Sequence, residues 1–190
     1  MDTTVLDLLR KRSAYRAIAP RAVERDRLQA MLEAAQLSAS CMNHQPWRFL
    51  VLDEPDALEK GRSALADGNY WAKTAPVLII GLSRVDLDCR PADGREYYLF
   101  DLGMATQNLL LQATEFGLVA RPMAGFRPAV IQEGFNIPES YTILIVIAVG
   151  WEGDLSTLKE NHQKVSVAPR TRNPLQDNFF FNQFAEPEAS

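Results

Sequence analysis

The sequence predicts one domain of the α+β class. The chain has 190 residues, a length typical of one domain, and its 47% hydrophobic content suffices for a sizeable core. Two apolar runs, "PVLIIGLSR" and "TILIVIAVGW", have the continuous hydrophobic character of buried strands. Segments with helical periodicity lie before and between these runs. We therefore expect helices packed around a sheet.

Two amphipathic helices are predicted in the N-terminal part. The first runs through "TVLDLLRK", and the second runs through "ERDRLQAMLEAAQLS". In the second, Leu28, Met31, Leu32 and Ala35 follow the i, i+3, i+4, i+7 spacing of one buried face. A strand "WRFLVLD", a helix "PDALEKGRSALA", a polar turn "DGNYWAK" and the first buried strand follow.

The longest predicted helix runs from Arg95 to Gly117, after a loop "RVDLDCRPADG". Gly117 is typical of a helix C-cap. The small residues Gly103 and Ala105 would let another backbone approach this helix closely. An extended piece "LVARP", a helix near "PAVIQEGF" and the strand "YTILIVIAVG" complete the body. The predicted apolar face of the helix from Arg95 to Gly117 consists of Leu99, Leu102, Thr106, Leu109, Leu110, Ala113 and Phe116.

The pattern changes near residue 150, so we predict a domain over residues 1–150 and a C-terminal extension over residues 151–190. The extension has little helical or strand period before "NFFFNQF". The four phenylalanines there would form a large exposed apolar patch if the extension did not dock. It either wraps its own domain or crosses to a second subunit. The four phenylalanines of the extension are Phe179, Phe180, Phe181 and Phe184.

Composition argues against several partners and compartments. The net charge is −4 and the pI is about 5.3, with no long Lys/Arg block, so nucleic acid and anionic membranes are not expected partners. The longest apolar run is about half of the ~20 residues that a membrane-spanning helix needs, and "MDTTVLDLLRKR" has the wrong charge order for a signal peptide. We expect a cytoplasmic protein. Cys41 and Cys89 are far apart in sequence, which favours reduced thiols over a disulfide or a metal site.

The chain offers little for acid/base or metal catalysis. It has two histidines, His44 and His162, and none of the common hydrolase, metalloprotease or nucleotide-binding motifs. Cys41 with His44 as its base is a conceivable nucleophile, although a cysteine in this setting is more often structural.

Three polar segments offer ligand-binding groups instead. In "RKRSAYR" the guanidinium groups suit phosphate oxygens, although cations are also common at a helix C-terminus. The turn "SASCMNHQPW" has serines, Asn43 and Gln45 that either bind a ligand's polyol and ring edge or bond to one another. "APRTRNPL" adds Arg170 and Arg172, which in isolation would be read as solvated.

The order of these segments resembles the nitroreductase-like flavoproteins. "KRSAYR" resembles the family's R-R-S-x-R, and "ASCMNHQPW" its P-S-x-x-N-x-Q-P-W. "DLGMATQNLLLQA" resembles D-x-G-x-x-x-Q-N-L-x-L-x-A, and "RTRNPL" resembles K/R-x-R-x-P-L. The resemblance extends from about residue 5 to residue 176. It implies a central mixed or antiparallel sheet flanked by helices, in an intertwined homodimer whose C-terminal tails are exchanged.

The resemblance also implies FMN at the subunit interface, with NADH or NADPH as electron donor. One group of residues would hold the phosphate and ribityl end, a second would reach the flavin from the partner subunit, and a third would run along the ring, with Asn69 at its pyrimidine edge. The phosphate and ribityl group consists of Arg12, Ser13, Arg16, Arg170 and Arg172. The group from the partner subunit consists of Ser40, Cys41 and Asn43, and the group along the ring consists of Pro122, Met123, Ala124 and Gly125.

The implied activity is hydride transfer from NAD(P)H through flavin N5 to a nitroaromatic, a quinone or a similar electron-poor acceptor. No catalytic residue or metal is expected, since the flavin carries the electron chemistry. Three features depart from the family pattern. The spacing to the second arginine is one residue longer than S-x-R, so either Ser13 or Ala14 takes the place of the serine, Ala39 replaces a proline, and Ala124 stands where some members have glutamate. The open alternatives are an FMN-using dehalogenase or flavin-cleaving relative, and a flavin-binding dimer without turnover.

Overall fold

The computed structural model describes residues 4–185. The helices and strands alternate irregularly along this range. Their bounds are α1 (Asp7–Lys11), α2 (Arg25–Gln36), β1 (Arg48–Leu52), α3 (Pro55–Ser63), β2 (Val77–Ser83), α4 (Tyr97–Glu115), β3 (Leu118–Met123), α5 (Pro128–Gly134), β4 (Thr142–Trp151) and α6 (Glu160–Val167).

The four strands form one antiparallel sheet in the order β1-β2-β4-β3. All seven residues of β2 are buried, as its continuous apolar run predicted. The register between β2 and β4 shifts at Gly81. A Cβ at that position would lie 2.8 Å from Ile145 Cγ2, so the two central strands approach too closely for a larger residue.

Helices cover both faces of the sheet. Alternate residues of β2 point in opposite directions, so Leu78 and Ile80 pack in one core and Val77 and Ile79 in the other. The first core includes residues of α3 and α5, and the second includes residues of α2 and α4. This three-layer arrangement confirms the α+β class.

Helix α4 is buried along most of the face that the sequence predicted. Gly117 follows it with a φ of +71°, a backbone conformation that glycine adopts without strain. Leu99 and Phe116, which were expected on the buried face, are only partly buried. Asp101 is fully buried instead, and burial raises the pKa of its carboxyl. Gly103 is exposed.

The C-terminal extension contains α6, which the sequence analysis did not predict. Leu158, before this helix, is buried in the first core, so the extension begins by packing on its own domain. Phe179, Phe181 and Phe184 are exposed, with 93% of the Phe181 surface accessible, and Phe180 is partly buried. Phe180 contacts Phe184 with ring centroids 4.9 Å apart. The last five residues of the predicted extension lie outside the described residues.

Candidate functional site

Arginines from three parts of the chain surround a cavity of about 580 Å³, which we call the cationic cavity. They come from the segment after α1, from β3 and from the segment after α6. The sequence predicted five of the lining residues as a phosphate-binding group, and the structure brings all five together. These five are Arg12, Ser13, Arg16, Arg170 and Arg172.

Backbone hydrogen bonds fix the N-terminal wall of the cationic cavity. The N–H of Ala19 donates to the carbonyl of Trp151 at 2.9 Å, and the N–H of Gly153 donates to the carbonyl of Ala17 at 2.8 Å. The segment after α1 is therefore held against the end of β4. Ala17 is buried, and Arg16 immediately before it lines the cavity.

Arg170 connects the C-terminal wall to the N-terminal wall. Its guanidinium donates to the backbone carbonyl of Leu9 at 3.2 Å and to that of Arg12. The Arg172 guanidinium donates to the carbonyl of Thr171 at 2.6 Å. The side chains of Arg12 and Arg172 thus face the same cavity from opposite walls.

The guanidinium groups of the cationic cavity repel one another. Burial lowers the pKa of Arg12, and the charges of Arg170 and Arg172 lower it further. Burial, followed by the charges of Arg16 and Arg12, lowers the pKa of Arg121 to about 10. All of these groups stay charged at pH 7, so the cavity concentrates positive charge that an anion would neutralise.

Arg121 is the cavity residue that the sequence analysis missed. Its Nη1 donates to the carbonyl of Ala14 at 2.8 Å, while its buried Nε has no hydrogen-bond partner within the described residues. An unpartnered buried donor among other cations is a group that an anionic ligand would satisfy. The signal in the sequence was a single charge inside the apolar strand "LVARPM".

We expect Arg121→Gln to stabilise the anion-free protein. A folded-state pKa below the ordinary value means that the charged form destabilises the fold, and this cost is fully present below pH 10 and diminishes as the pH rises above it. Because the Arg121 guanidinium is partly solvated, we expect the free energy of unfolding of the variant to be higher by about 1–2 kcal/mol at pH 7. Differential scanning calorimetry in a buffer without phosphate or sulfate measures it.

Arg95→Gln is the matched control, because Arg95 pairs with Asp93 at the surface, at 2.8 Å, outside the cationic cavity. The Arg95→Gln variant should not have a higher melting temperature than the unaltered protein. An equal or lower stability of Arg121→Gln relative to the unaltered protein would contradict the repulsion described above.

Asn69 contacts the segment that follows β3, and both were predicted to lie at the ring of the flavin. Asn69 Nδ2 donates to the carbonyl of Gly125 at 2.7 Å, and a Cβ at position 125 would lie 2.9 Å from that nitrogen, so the contact requires glycine. Ala124 and Gly125 are exposed, whereas the side chain of Met123 is buried in the first core. Met123 can therefore offer a ligand only its backbone.

Tyr70, which follows Asn69 in the sequence, contacts His162 of α6. The Tyr70 hydroxyl is 3.2 Å from His162 Nδ1, and the two rings stack with centroids 5.5 Å apart. Burial lowers the pKa of His162, and the charges of Arg16, Lys159 and Arg121 lower it further. His162 thus lies within the electrostatic field of the cavity.

The turn at residues 40–45 lines a second cavity, of about 560 Å³, on another part of the molecule. Ser40 and Cys41 line it together with Phe100, and no described residue lines both cavities. The turn is also internally bonded, because Ser40 Oγ accepts the Gln45 N–H at 3.0 Å. Gln45 Nε2 bonds to Asn43 Oδ1 at 3.2 Å. Within a single chain, Ser40, Cys41 and Asn43 therefore do not reach the cationic cavity.

Cys41 and Cys89 form a disulfide, so the expectation of reduced thiols was wrong. Their Cα atoms are 5.9 Å apart, within the range that a disulfide spans. The loop after β2 folds back over the turn at residues 40–45 and brings the two cysteines together across 48 positions of sequence. Sequence spacing alone carries no information on such a tertiary contact. Cys41 is consequently not a free nucleophile for His44.

Comparison with known proteins decides the family. The family model described as the nitroreductase family matches residues 9–69 and 63–151. The chain belongs to the nitroreductase family. A Methanothermobacter thermautotrophicus protein, provisionally named an NADH dehydrogenase/NAD(P)H nitroreductase, is 30% identical over 155 residues, which cover 79% of this chain and 78% of the relative.

Solved structures share the nitroreductase fold. An oxidoreductase containing FMN has a TM-score of 0.88 and 30% identity, covering 98% of this chain and 96% of the other. A nitroreductase family protein from Clostridium difficile has a TM-score of 0.78 and 27% identity, covering 96% of this chain and all of the other. The nitroreductase-like fold predicted from the sequence is thereby confirmed.

Two further features of this nitroreductase-family chain concern metals and membranes. Between residues 4 and 185, no group of three or more His, Cys, Asp and Glu side chains has the geometry of a metal site. In the same range, every helix is too short or too polar to cross a bilayer.

Proposed function

We propose that this member of the nitroreductase family is an FMN-dependent oxidoreductase that acts as a homodimer. It takes a hydride from NADH or NADPH and passes electrons to a nitroaromatic, a quinone or a similar electron-poor acceptor. The observation that carries the proposal is the cationic cavity, whose converging arginines call for an anionic ligand. The 30% identity to an oxidoreductase containing FMN supports the choice of that ligand.

The cationic cavity fits the phosphate end of FMN. A phosphate monoester offers three acceptor oxygens and nearly two negative charges, which suit several guanidinium groups at once. The buried Nε of Arg121 and the repulsion felt by Arg12 are both relieved by such an anion. We therefore assign Arg12, Arg16 and Arg172 to the phosphate, with Arg121 as an additional cation.

The contact between Asn69 and Gly125 fits the ring end. Glycine at position 125 leaves the backbone open, as a flat ring lying against it requires. Pro122 has no N–H, so Ala124 and Gly125 are the exposed residues that can donate to the ring edge. Ala124 has no carboxylate with which to move a proton.

The remaining predicted ligands come from a second subunit in this proposal. Ser40, Cys41 and Asn43 lie away from the cationic cavity of their own chain, so they can reach a flavin only across an interface. Phe100, 55% exposed, and Gly103 form an accessible strip on α4 near the same turn. Burying this strip and the aromatic tail provides the apolar area that a dimer interface needs.

The residues of this chain would bind FMN, orient it and surround its anionic end with positive charge. The bound FMN would supply the hydride-accepting ring. Arg121 and Arg16 place positive charge where the ligand's phosphate would lie, so they would hold that end by charge-assisted hydrogen bonds and thereby position the ring end. Asn69 fixes the backbone at the end of β3. The chemistry asked of the protein requires no acid/base pair.

An anaerobic visible spectrum of the purified protein tests the proposal. We expect bands near ~450 nm that bleach when NADH or NADPH is added, and a released chromophore with the mass of FMN. Reoxidation by a nitroaromatic or a quinone should restore the bands. A protein that stays colourless after addition of FMN would overturn the cofactor assignment, and a yellow protein that pyridine nucleotides do not reduce would indicate a flavin-binding dimer without turnover.

A further inference from the structure

We propose that Cys41 and Cys89 are a redox-active pair, a site at which a small dithiol exchanges two electrons with the protein and thereby releases the turn at residues 40–45. This inference goes beyond the proposed flavin chemistry: the thiol exchange does not depend on it, and the consequence for the surface that meets the partner's flavin rests on the proposed function. It rests on the accessibility of the pair, on backbone strain around it and on how the turn is anchored.

The disulfide is accessible. Both cysteines are only partly buried, and both line the second cavity of about 560 Å³. That volume admits a molecule of the size of a small dithiol. Exchange requires a thiolate to reach one of the sulfur atoms, and disulfides that line an open cavity are the ones that react.

Backbone strain is concentrated beside the disulfide. Six non-glycine residues within the described range have positive φ, and four of them flank the two cysteines. Met42 (φ 49°) and Asn43 (φ 58°) follow Cys41, and Arg90 (φ 51°) follows Cys89. The left-handed conformation is readily adopted by asparagine but is unfavourable for Met42 and Arg90, so surrounding constraints must hold those two residues in place.

The disulfide is the covalent constraint on the turn, and hydrogen bonds supply the others. Beyond the turn, the chain is held firmly, because the buried Ser83 hydroxyl donates to the Pro46 carbonyl at 2.6 Å. Within the turn, the Cys41 N–H donates to Asp101 Oδ2 at 3.1 Å, and further hydrogen bonds join residues 40–45 to one another. Breaking the S–S bond removes the covalent link between the turn and the loop that carries Cys89, so hydrogen bonds alone then hold the strained residues and the turn loosens.

The exchange is balanced as two successive substitutions. One thiolate of the dithiol attacks a cysteine sulfur, the S–S bond breaks, and the other cysteine leaves as a thiolate. The second thiolate of the reagent then attacks the mixed disulfide and releases the first cysteine. The dithiol ends as a cyclic disulfide, oxidised by two electrons, and both protein thiolates take up a proton from solvent.

The consequence concerns the surface that the turn presents. Ser40, Cys41 and Asn43 are the residues that we place against the partner's flavin. Two-electron reduction therefore changes the shape of that surface, and the cysteine pair adds a thiol-sensitive element to it.

Redox titration of the full-length protein as purified tests the inference. The protein is equilibrated in native buffer with mixtures of reduced and oxidised dithiothreitol, quenched in acid, alkylated with N-ethylmaleimide and weighed intact. We expect the number of labelled cysteines to go from none to two as the reduced fraction rises, and to return to none in oxidised dithiothreitol. Labelling that requires a denaturant, or thiols that oxidised dithiothreitol cannot close, would overturn the proposal.

Hydrogen exchange of the same samples tests the release of the turn. Amides of residues 38–47 and 84–95 should exchange about tenfold faster in the reduced protein, with β2 unchanged. The variant Cys41→Ser/Cys89→Ser should match the reduced protein in both reagents, and the wild-type redox cycle decides the result if that variant does not fold. Reduction without a change in exchange would overturn the release. Neither readout depends on bound flavin, so a failure here is distinct from a failure of the cofactor assignment.

Discussion

Replacing Arg12 and Arg172 together with alanine is expected to yield a folded protein that purifies without FMN. The two side chains face the cationic cavity from opposite walls. A charge-assisted hydrogen bond to phosphate contributes about 1.5–3 kcal/mol, so losing both weakens FMN binding by about two to four orders of magnitude. Flavin absorbance per protein and a calorimetric titration with FMN measure the loss.

The same variant should fold at least as well as the anion-free wild type. The charges of Arg170 and Arg172 lower the pKa of Arg12 after burial does, so the arginines oppose each other in the empty cavity. The alanine at position 12 keeps the carbonyl that accepts from Arg170. Arg21→Ala/Arg95→Ala, which removes two charges outside the cavity, should keep its flavin. Unchanged FMN affinity in the Arg12/Arg172 variant would refute the phosphate assignment.

Ending the chain after Arg172 is expected to yield a monomer where the full-length chain forms the proposed dimer. The truncation keeps α6 and the whole cationic cavity but removes residues 173–190, which include Leu175 and the exposed Phe179, Phe181 and Phe184. Burying each of these side chains against a partner is worth about 1.5–3 kcal/mol, so their loss should raise the dissociation constant by at least about a thousandfold. Light scattering at micromolar concentration gives the mass.

A full-length variant, Phe179→Ser/Phe181→Ser/Phe184→Ser, separates the aromatic contacts from the length of the tail. It should be monomeric like the truncated chain, because only the apolar surface has changed. If both proteins remain dimeric, the tail folds back on its own subunit and the interface lies elsewhere. The proposed exchange of tails would then be wrong.

The sequence predicted the body of the fold because its strongest signals are local. The continuous apolar run of β2 and the long stripe of α4 specify burial within one element. Helix α6 was missed because "ENHQKVSV" is short and mostly polar, and its position depends on contacts such as the stacking of His162 on Tyr70. Such contacts leave no periodic trace in the sequence.

The candidate site was predictable only where a motif marked it. The residues around Arg12 and Arg172 belong to recognisable segments, and the structure brings these segments together. Arg121 belongs to none, and it enters the cavity because the alternation of β3 directs it there. The disulfide between Cys41 and Cys89 depends on two loops meeting, which only the folded chain reveals.

The pairing of β2 with β4 has a consequence for how the chain folds. Val77 pairs with Val149, and α4, β3 and α5 lie between these two strands in the sequence. During synthesis β2 therefore waits without its central partner, with seven residues that the native protein buries completely. Closing so long a loop before its contacts form slows folding and leaves an aggregation-prone strand exposed. We therefore expect lower growth temperatures and added chaperone capacity to raise the yield of folded protein in a producing cell.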